Sequence, residues 1–137
     1  MRLDHIAIAV RSLDDALSFY TDVLGLTCVG RETVAEQGVR LALLPIGEGR
    51  LELLEPLSED SPVGRFLTRR GEGLHHICFQ VADIEGTLAR LRAEGVRLID
   101  EAPRCGAEGR KIAFLHPTSA HGVLIELVEV PKEENRT

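Results

Sequence analysis

An internal repeat is the strongest constraint that this 137-residue sequence places on its own fold. Residues 3–10, LDHIAIAV, match residues 74–81, LHHICFQV, so that His5 aligns with His76. In each segment large apolar residues alternate with small or polar residues, and the histidine is one of the latter. A period of two is typical of a β-strand. Both halves of the chain are therefore predicted to begin with a strand that has one apolar side and one side carrying a histidine.

Similar segments follow both copies of this strand. Each strand leads into a stretch with apolar residues at helical spacing, capped by Ser12 in the first copy and by Asp83 in the second. Three extended segments come next: CVGRE, VRLALLPIG and RLELLEP in the first copy, and VRLID, KIAFLHP and GVLIELVEV in the second. The pattern predicts an α+β fold built from two βαβββ modules.

The two modules are predicted to form a single domain over residues 1–137. The first module covers about residues 1–56 and the second about residues 74–130, and residues 57–73 form a connector with the short helical segment VGRFLTRR. A lone module of about 55 residues with one open sheet would be only marginally stable. The polar C-terminal segment PKEENRT is predicted to fray.

Composition and charge exclude several classes of protein. There are 16 Lys and Arg against 22 Asp and Glu, and the net charge of −6 argues against a binder of duplex nucleic acid. No apolar run reaches the roughly 20 residues that span a bilayer, and the N-terminus lacks a signal-peptide pattern, so the cytoplasm is the predicted location. Cys28, Cys78 and Cys105 are widely spaced and are predicted to be ordinary thiols.

Four ionisable residues occupy matched positions in otherwise apolar strands. His5 and His76 lie in the first strands of the modules, and Glu52 and Glu126 lie in the last strands. If the modules pack about a pseudo-twofold axis, these side chains converge on a divalent metal site with two nitrogen and two oxygen ligands. Such a set suits Co, Mn, Ni, Fe or Zn better than Ca or Mg, and an octahedral ion would keep two positions for water or substrate.

The other three histidines have simpler interpretations. His75 faces the opposite way from His76 and is predicted to be structural or to lie at a strand edge. His116 precedes a proline-containing turn and His121 lies in a loop. Loop packing is the first interpretation for both of these residues, and contact with a substrate is the alternative.

The sequence resembles the vicinal oxygen chelate superfamily, in which paired βαβββ modules form an open, barrel-like mixed sheet around a divalent metal. The resemblance covers nearly the whole chain and is strongest to the methylmalonyl-CoA epimerase family, through DHIAIAV, FYTDVLGL, EQGVR, LELLEP, DSPVGRFL, GEGLHHICFQVADI, PRCGAEGRKIAFLHP and HGVLIEL. It implies that His5, His76 and Glu126 bind the metal, with Glu52 at the fourth ligand position, where some relatives have Gln. It also implies a homodimer.

The same resemblance implies an isomerase that interconverts the (R) and (S) forms of methylmalonyl-CoA. Removing the C2 proton places negative charge on the thioester oxygen, and a metal chelated by this oxygen and a carboxylate oxygen stabilises the enolate as a Lewis acid. Glu126 is the first candidate for the base, Glu52 is the second, and a carboxylate or bound water near Glu36 and Gln37 is a further one. Some relatives carry a proposed base where this sequence has Leu41.

The loop PRCGAEGRK carries cations among glycines that let a ligand approach the backbone closely. Arg104, Arg110 and Lys111 are therefore candidates for binding the phosphates of CoA. A solvated turn is the alternative interpretation of this loop.

Other functions occur on the same fold. A glyoxalase I-like lactoylglutathione lyase uses a similar set of His and Glu ligands, but the segments PRCGAEGRK and LLEPLSEDSPVGRF favour the epimerase. A non-catalytic small-molecule binding protein needs no ligand set, and 4% aromatic residues would give it few stacking surfaces. A ring-cleaving dioxygenase typically binds iron through two His and one Glu, so Glu52 counts against it.

Overall fold

The computed structural model describes residues 1–130 and divides the chain into two compact units. The first unit is His5–His75, and the second unit combines Met1–Asp4 with the chain from His76 onward. The segment PKEENRT, which was predicted to fray, lies outside the described residues. The single-domain organisation stays a prediction.

The first unit has the predicted order of one strand, one helix and three strands. Its elements are β1 (Arg2–Ala9, in this unit from His5), α1 (Leu13–Leu17), β2 (Gly30–Val34), β3 (Val39–Ile46), β4 (Gly49–Pro56) and α2 (Pro62–Arg70). The strands lie in the order β2-β3-β4-β1. Strand β4 pairs with β1 in parallel and with β3 antiparallel, and β2 pairs antiparallel with β3, so the sheet of this unit is mixed.

Helix α1 covers one face of these strands. Ser12 caps the helix as predicted, because its hydroxyl accepts a hydrogen bond from the Asp15 amide at 3.2 Å. After Leu17 the chain widens into a π-helix over Ser18–Val23, which the apolar spacing did not predict, and the Leu24 amide donates to the Phe19 carbonyl at 2.8 Å. The buried core on this face consists of Val10, Leu13, Leu17, Ala42, Leu44, Leu51 and Leu53.

The second unit repeats this arrangement. Its elements are β5 (Gly73–Val81, in this unit from His76), α3 (Ile84–Ala93), β6 (Arg104–Cys105), β7 (Lys111–Leu115) and β8 (Ile125–Glu129). The strands lie in the order β5-β8-β7-β6, with β5 and β8 parallel and the other pairs antiparallel. Because β1, β4, β3 and β2 correspond in order to β5, β8, β7 and β6, the predicted repeat and the α+β class are confirmed.

The second strand of this unit is not where the sequence pattern predicted it. The segment VRLID contributes an isolated bridge between Leu98 and Leu115 and three backbone hydrogen bonds with residues 114 and 116, and the regular strand that pairs with β7 is β6. The Asp100 carboxylate accepts a hydrogen bond from the Phe114 amide at 2.8 Å, so a side chain takes the place of the carbonyl that a regular strand would offer. Alternating apolar residues were therefore insufficient to identify the paired strand.

Buried residues lie on both faces of the strands in the second unit. Asp83 caps α3 by accepting from the Gly86 amide at 3.1 Å, as predicted. Ile84 and Leu88 of the helix pack with Val81, Ala113, Leu115 and Leu127, and a separate cluster contains Cys78, Ile112, Phe114 and Val128. Within residues 1–130, none of the helices is both long enough and apolar enough to cross a membrane.

Gly38 ends the short 3₁₀ turn after β2 and is the glycine with the clearest structural requirement. Its φ is +68°, its carbonyl accepts from the Leu57 amide at 2.8 Å, and an added Cβ would stand 2.8 Å from the Ser61 Cβ. Gly38→Ala is therefore expected to lower the free energy of unfolding by about 2 kcal/mol, as measured by urea titration. Gly30→Ala, in open space and without a positive φ, is the matched control. Equal stability of both variants would contradict the argument.

Candidate functional site

The first unit contains one buried histidine–glutamate pair. His5 Nδ1 lies 3.3 Å from Glu52 Oε2, and both residues are less than 5% exposed. The parallel register of β1 and β4 places Glu52 opposite Ala7, two residues beyond His5, so the imidazole and the carboxylate lie on one face of the sheet. Arg50 Nε also donates to Glu52 Oε2, at 3.1 Å. We call this side of the first unit the histidine face.

The second unit contains an equivalent pair. His76 Nε2 lies 2.9 Å from Glu126 Oε1, and both residues are buried. The register of β5 and β8 places Glu126 opposite Cys78, two residues beyond His76, which is the same offset as in the first unit. The Phe114 ring packs edge-on against the His76 imidazole with a centroid distance of 5.4 Å. The repeat therefore places an imidazole beside a carboxylate in each unit independently.

The chemistry of these residues fits a divalent metal. A buried carboxylate is costly unless a cation or hydrogen-bond donors compensate its charge, and both Glu52 and Glu126 are buried. Imidazole nitrogen and carboxylate oxygen are ordinary ligands of first-row divalent ions. His5, His76 and Glu126 are buried residues that each offer a ligand atom.

The three candidate CoA-binding cations all lie in the second unit, and each has a carboxylate partner. Arg104 Nε is 3.3 Å from Asp100, and its guanidinium stacks on the Phe114 ring at 5.6 Å. Lys111 Nζ is 3.5 Å from Glu85, and its side chain is 59% exposed. The loop therefore presents these cations as members of ion pairs.

Arg110 forms a partly buried network that the sequence did not predict. Its two terminal nitrogens donate to the two carboxylate oxygens of Asp4, each at 3.2 Å, and Gln80 Nε2 donates to Asp4 Oδ1 at 2.9 Å. Asp4 is buried, whereas the Arg110 side chain is 20% exposed. The one sequence feature that pointed to this network was the acidic residue Asp4 inside an apolar strand. No sequence pattern indicated that its partner would be Arg110, 106 residues away.

The remaining residues predicted from the sequence make packing contacts, lie in turns or are buried in a strand. The His75 ring packs edge-on against Phe66 at 4.9 Å. His116 Nδ1 accepts from the Thr118 amide at 3.1 Å, and His121 is exposed with a φ of +56°. Leu41 is buried on the histidine face of the first unit, and Glu36 and Gln37 lie in the 3₁₀ turn after β2.

Comparisons with known proteins identify the family of this chain. Residues 4–114 match the family model of the glyoxalase/bleomycin resistance protein/dioxygenase superfamily. The Bacillus subtilis protein YqjC, described as uncharacterized, is 52% identical over 93% of this chain and 91% of its own length. Human mitochondrial methylmalonyl-CoA epimerase is 39% identical over 92% of this chain and 72% of its own length.

A solved structure confirms the fold. A variant of Streptomyces coelicolor methylmalonyl-CoA epimerase, in complex with 2-nitronate-propionyl-CoA, superposes with a TM-score of 0.90 at 47% identity, covering 94% of each chain. The resemblance found in the sequence is thereby confirmed over most of its length. The chain belongs to the glyoxalase/bleomycin resistance protein/dioxygenase superfamily and, within it, to the methylmalonyl-CoA epimerase family of enzymes.

Proposed function

We propose that this protein is a metal-dependent epimerase that interconverts the (R) and (S) forms of methylmalonyl-CoA. The observation that carries the proposal is the matched histidine–glutamate pair, His5 with Glu52 and His76 with Glu126, at the same register in both repeats. Methylmalonyl-CoA epimerases among its relatives, one of them in complex with an acyl-CoA derivative, support the choice of substrate.

Under this proposal His5, Glu52, His76 and Glu126 together hold one divalent ion of the Co, Mn, Ni, Fe or Zn class. When bound, the metal supplies a Lewis acid that lowers the cost of negative charge developing on the thioester oxygen. The two carboxylates are not equivalent, because Arg50 donates to Glu52 and offsets part of its charge.

Proton transfer at C2 is assigned first to Glu126. The C2–H bond breaks, the proton moves to a carboxylate oxygen, and the electron pair moves into the thioester carbonyl. Glu126 Oε1 lies 2.9 Å from His76 Nε2, which supports a shared ion as the common partner of these two atoms. Glu52 ranks second as a base because its carboxylate already accepts a hydrogen bond from Arg50.

Arg104, Arg110 and Lys111 are proposed to contact the phosphates of CoA. Lys111 is the most exposed of the three and its 3.5 Å contact with Glu85 is long, so it can exchange this carboxylate for a phosphate at low cost. Arg110 is the least available of the three, because it already donates two hydrogen bonds to Asp4. A homodimer is part of the same proposal.

The test follows deuterium from solvent into C2 of methylmalonyl-CoA. The purified protein is assayed as isolated, after chelation, and after addition of each candidate metal, and its metal content is measured in parallel. Exchange and interconversion are expected with metal, and chelation is expected to reduce both by at least about 100-fold and reversibly. Absence of exchange in the metal-loaded protein, together with turnover of the methylglyoxal–glutathione adduct, would identify a lyase instead.

A further inference from the structure

We propose that Phe114 is a positioning residue that orients the imidazole of the metal ligand His76. Asp100 and Arg104 hold Phe114 in place for this role. The inference rests on the metal site of the proposed function. These four residues lie in the second unit, as does Glu126, so every contact that carries the inference belongs to that unit.

Strand register places Phe114 beside both proposed ligands of the second unit. Phe114 is directly opposite Glu126 in the antiparallel pair of β7 and β8, and Glu126 is directly opposite Cys78 in the parallel pair of β5 and β8. Residues opposite each other in a sheet point to the same side, and Cys78 shares its side with His76, two residues earlier. The side chains of Phe114, Glu126 and His76 therefore project from one face of the sheet.

The Phe114 ring restrains rotation of the His76 imidazole. The two rings are nearly perpendicular, at 87°, with their centroids 5.4 Å apart, and the two residues are 8% and 5% exposed. Nε2 of His76, the atom 2.9 Å from Glu126 Oε1, must keep its direction to bind an ion. Turning the imidazole about its Cβ–Cγ bond would move this atom, and a buried ring packed at a right angle leaves little room for that motion.

Residues 99 and 100 fix the backbone of Phe114. The Asp100 carboxylate accepts a hydrogen bond from the Phe114 amide at 2.8 Å, and the Ile99 and Asp100 amides donate to the Phe114 carbonyl at 2.9 and 3.1 Å. One of these three hydrogen bonds has an ionised acceptor and is therefore stronger than an ordinary backbone bond. Asp100 thus fixes the point from which the Phe114 ring extends.

Arg104 contacts the face of the Phe114 ring. Its Cζ lies 5.6 Å from the ring centroid, and its Nε is 3.3 Å from Asp100 Oδ1, so one carboxylate contacts both the Phe114 amide and the cation over the ring. Arg104 is directly opposite Ile112, two residues before Phe114, which places it on the same face as Glu126. An unrestrained guanidinium on this face would compete with a metal ion for the Glu126 carboxylate, and the contacts with Asp100 and Phe114 give it other partners.

Core packing without any effect on the metal is the alternative role for Phe114. Ile112 and Val128 are buried in the same cluster, and a large apolar side chain of another kind would also fill the space beside them. The two roles have different requirements, because packing needs volume whereas orienting an imidazole needs a flat ring at a fixed angle. Substitutions that keep the volume and remove the ring therefore separate the two roles.

The deciding experiment titrates Co²⁺ into the metal-free protein in the absence of any acyl-CoA. In Phe114→Leu the Kd for Co²⁺ is expected to rise at least about 10-fold, and the visible absorption of bound Co²⁺ is expected to change, because the His76 ring is less restrained. Phe114→Met, which nearly keeps the side-chain volume, is expected to behave in the same way. At saturating Co²⁺, solvent deuterium exchange at C2 of methylmalonyl-CoA is expected to fall about 10-fold in both variants.

Phe79→Leu is the matched control, because Phe79 lies in the same strand as His76 but three residues later and packs on the side of α3. It is expected to lose stability in urea while its Co²⁺ affinity and absorption stay unchanged. Unchanged Co²⁺ affinity and absorption in folded Phe114→Leu or Phe114→Met, or equal changes in Phe79→Leu, would overturn the role of Phe114. Co²⁺ binding without deuterium exchange in the unmodified protein would refute the proposed function, and the absorption of Phe114→Leu would still decide whether Phe114 orients His76.

Discussion

Replacing Glu126 by Gln is expected to lower solvent deuterium exchange at C2 of methylmalonyl-CoA by about three orders of magnitude for both enantiomers. Glutamine keeps the size of the side chain and one acceptor oxygen, but it carries no charge and does not accept the C2 proton. In the proposed site Glu126 is both a base and a ligand, so its loss affects both directions of the reaction. Some metal is expected to remain, because His5, His76 and Glu52 are unchanged.

The measurement is made at increasing metal concentrations up to saturation, with the bound metal quantified in the same samples. Glu129→Gln is the matched control, since Glu129 lies in the same strand but an odd number of residues away and so points to the other side. Exchange in Glu126→Gln within about threefold of the unmodified protein would remove Glu126 from the chemistry. A loss that further metal fully restores would assign it to metal binding alone.

Replacing Arg110 by Met is expected to lower the free energy of unfolding by about 3 kcal/mol. The variant keeps most of the apolar stem but removes both nitrogens that donate to Asp4, leaving a buried carboxylate with reduced compensation. Removing one partner of a fully buried pair costs about 3–5 kcal/mol, and the lower end applies because Arg110 is partly exposed. A fall in Tm on the order of 10 °C should accompany this loss.

Urea titration of five proteins separates the pair from its surroundings: the unmodified protein, Asp4→Leu, Arg110→Met, the double variant and Lys111→Met. Lys111→Met is the control for a loop cation, and its exposed contact with Glu85 is expected to contribute less than about 1 kcal/mol. The double variant Asp4→Leu, Arg110→Met is expected to lose less stability than the sum of the single variants, by at least about 1 kcal/mol. Additive losses, or a stable Arg110→Met, would show that the contact with Asp4 contributes little.

Much of the fold was predictable because local patterns, such as strand alternation and helix caps, indicate it. The alternation in LDHIAIAV and LHHICFQV, the caps at Ser12 and Asp83 and the matched triplets around Glu52 and Glu126 are all readable over a few residues. These signals depend on backbone geometry within one strand or one turn, so the two βαβββ units and their histidine–glutamate pairs followed from them.

Long-range partners were not predictable in the same way. The strand expected at VRLID was replaced by β6, because the Asp100 side chain takes up the Phe114 amide. The contact of Arg110 with Asp4 likewise joins segments that are distant in sequence. Local propensity and residue spacing indicate which residues can form a helix or a strand. They carry no information on which distant residues that helix or strand will contact.

The sequence alone determined the repeat, the order of helices and strands, and the four matched residues, two His and two Glu, because each is a local pattern of side chains along the backbone. Only the tertiary structure decided that Arg110 is committed to Asp4 and that Gln80 donates to the same carboxylate. The reason is that register and side-chain contact are set by hydrogen bonding and burial across strands, which place residues far apart in the chain within a few ångströms of one another.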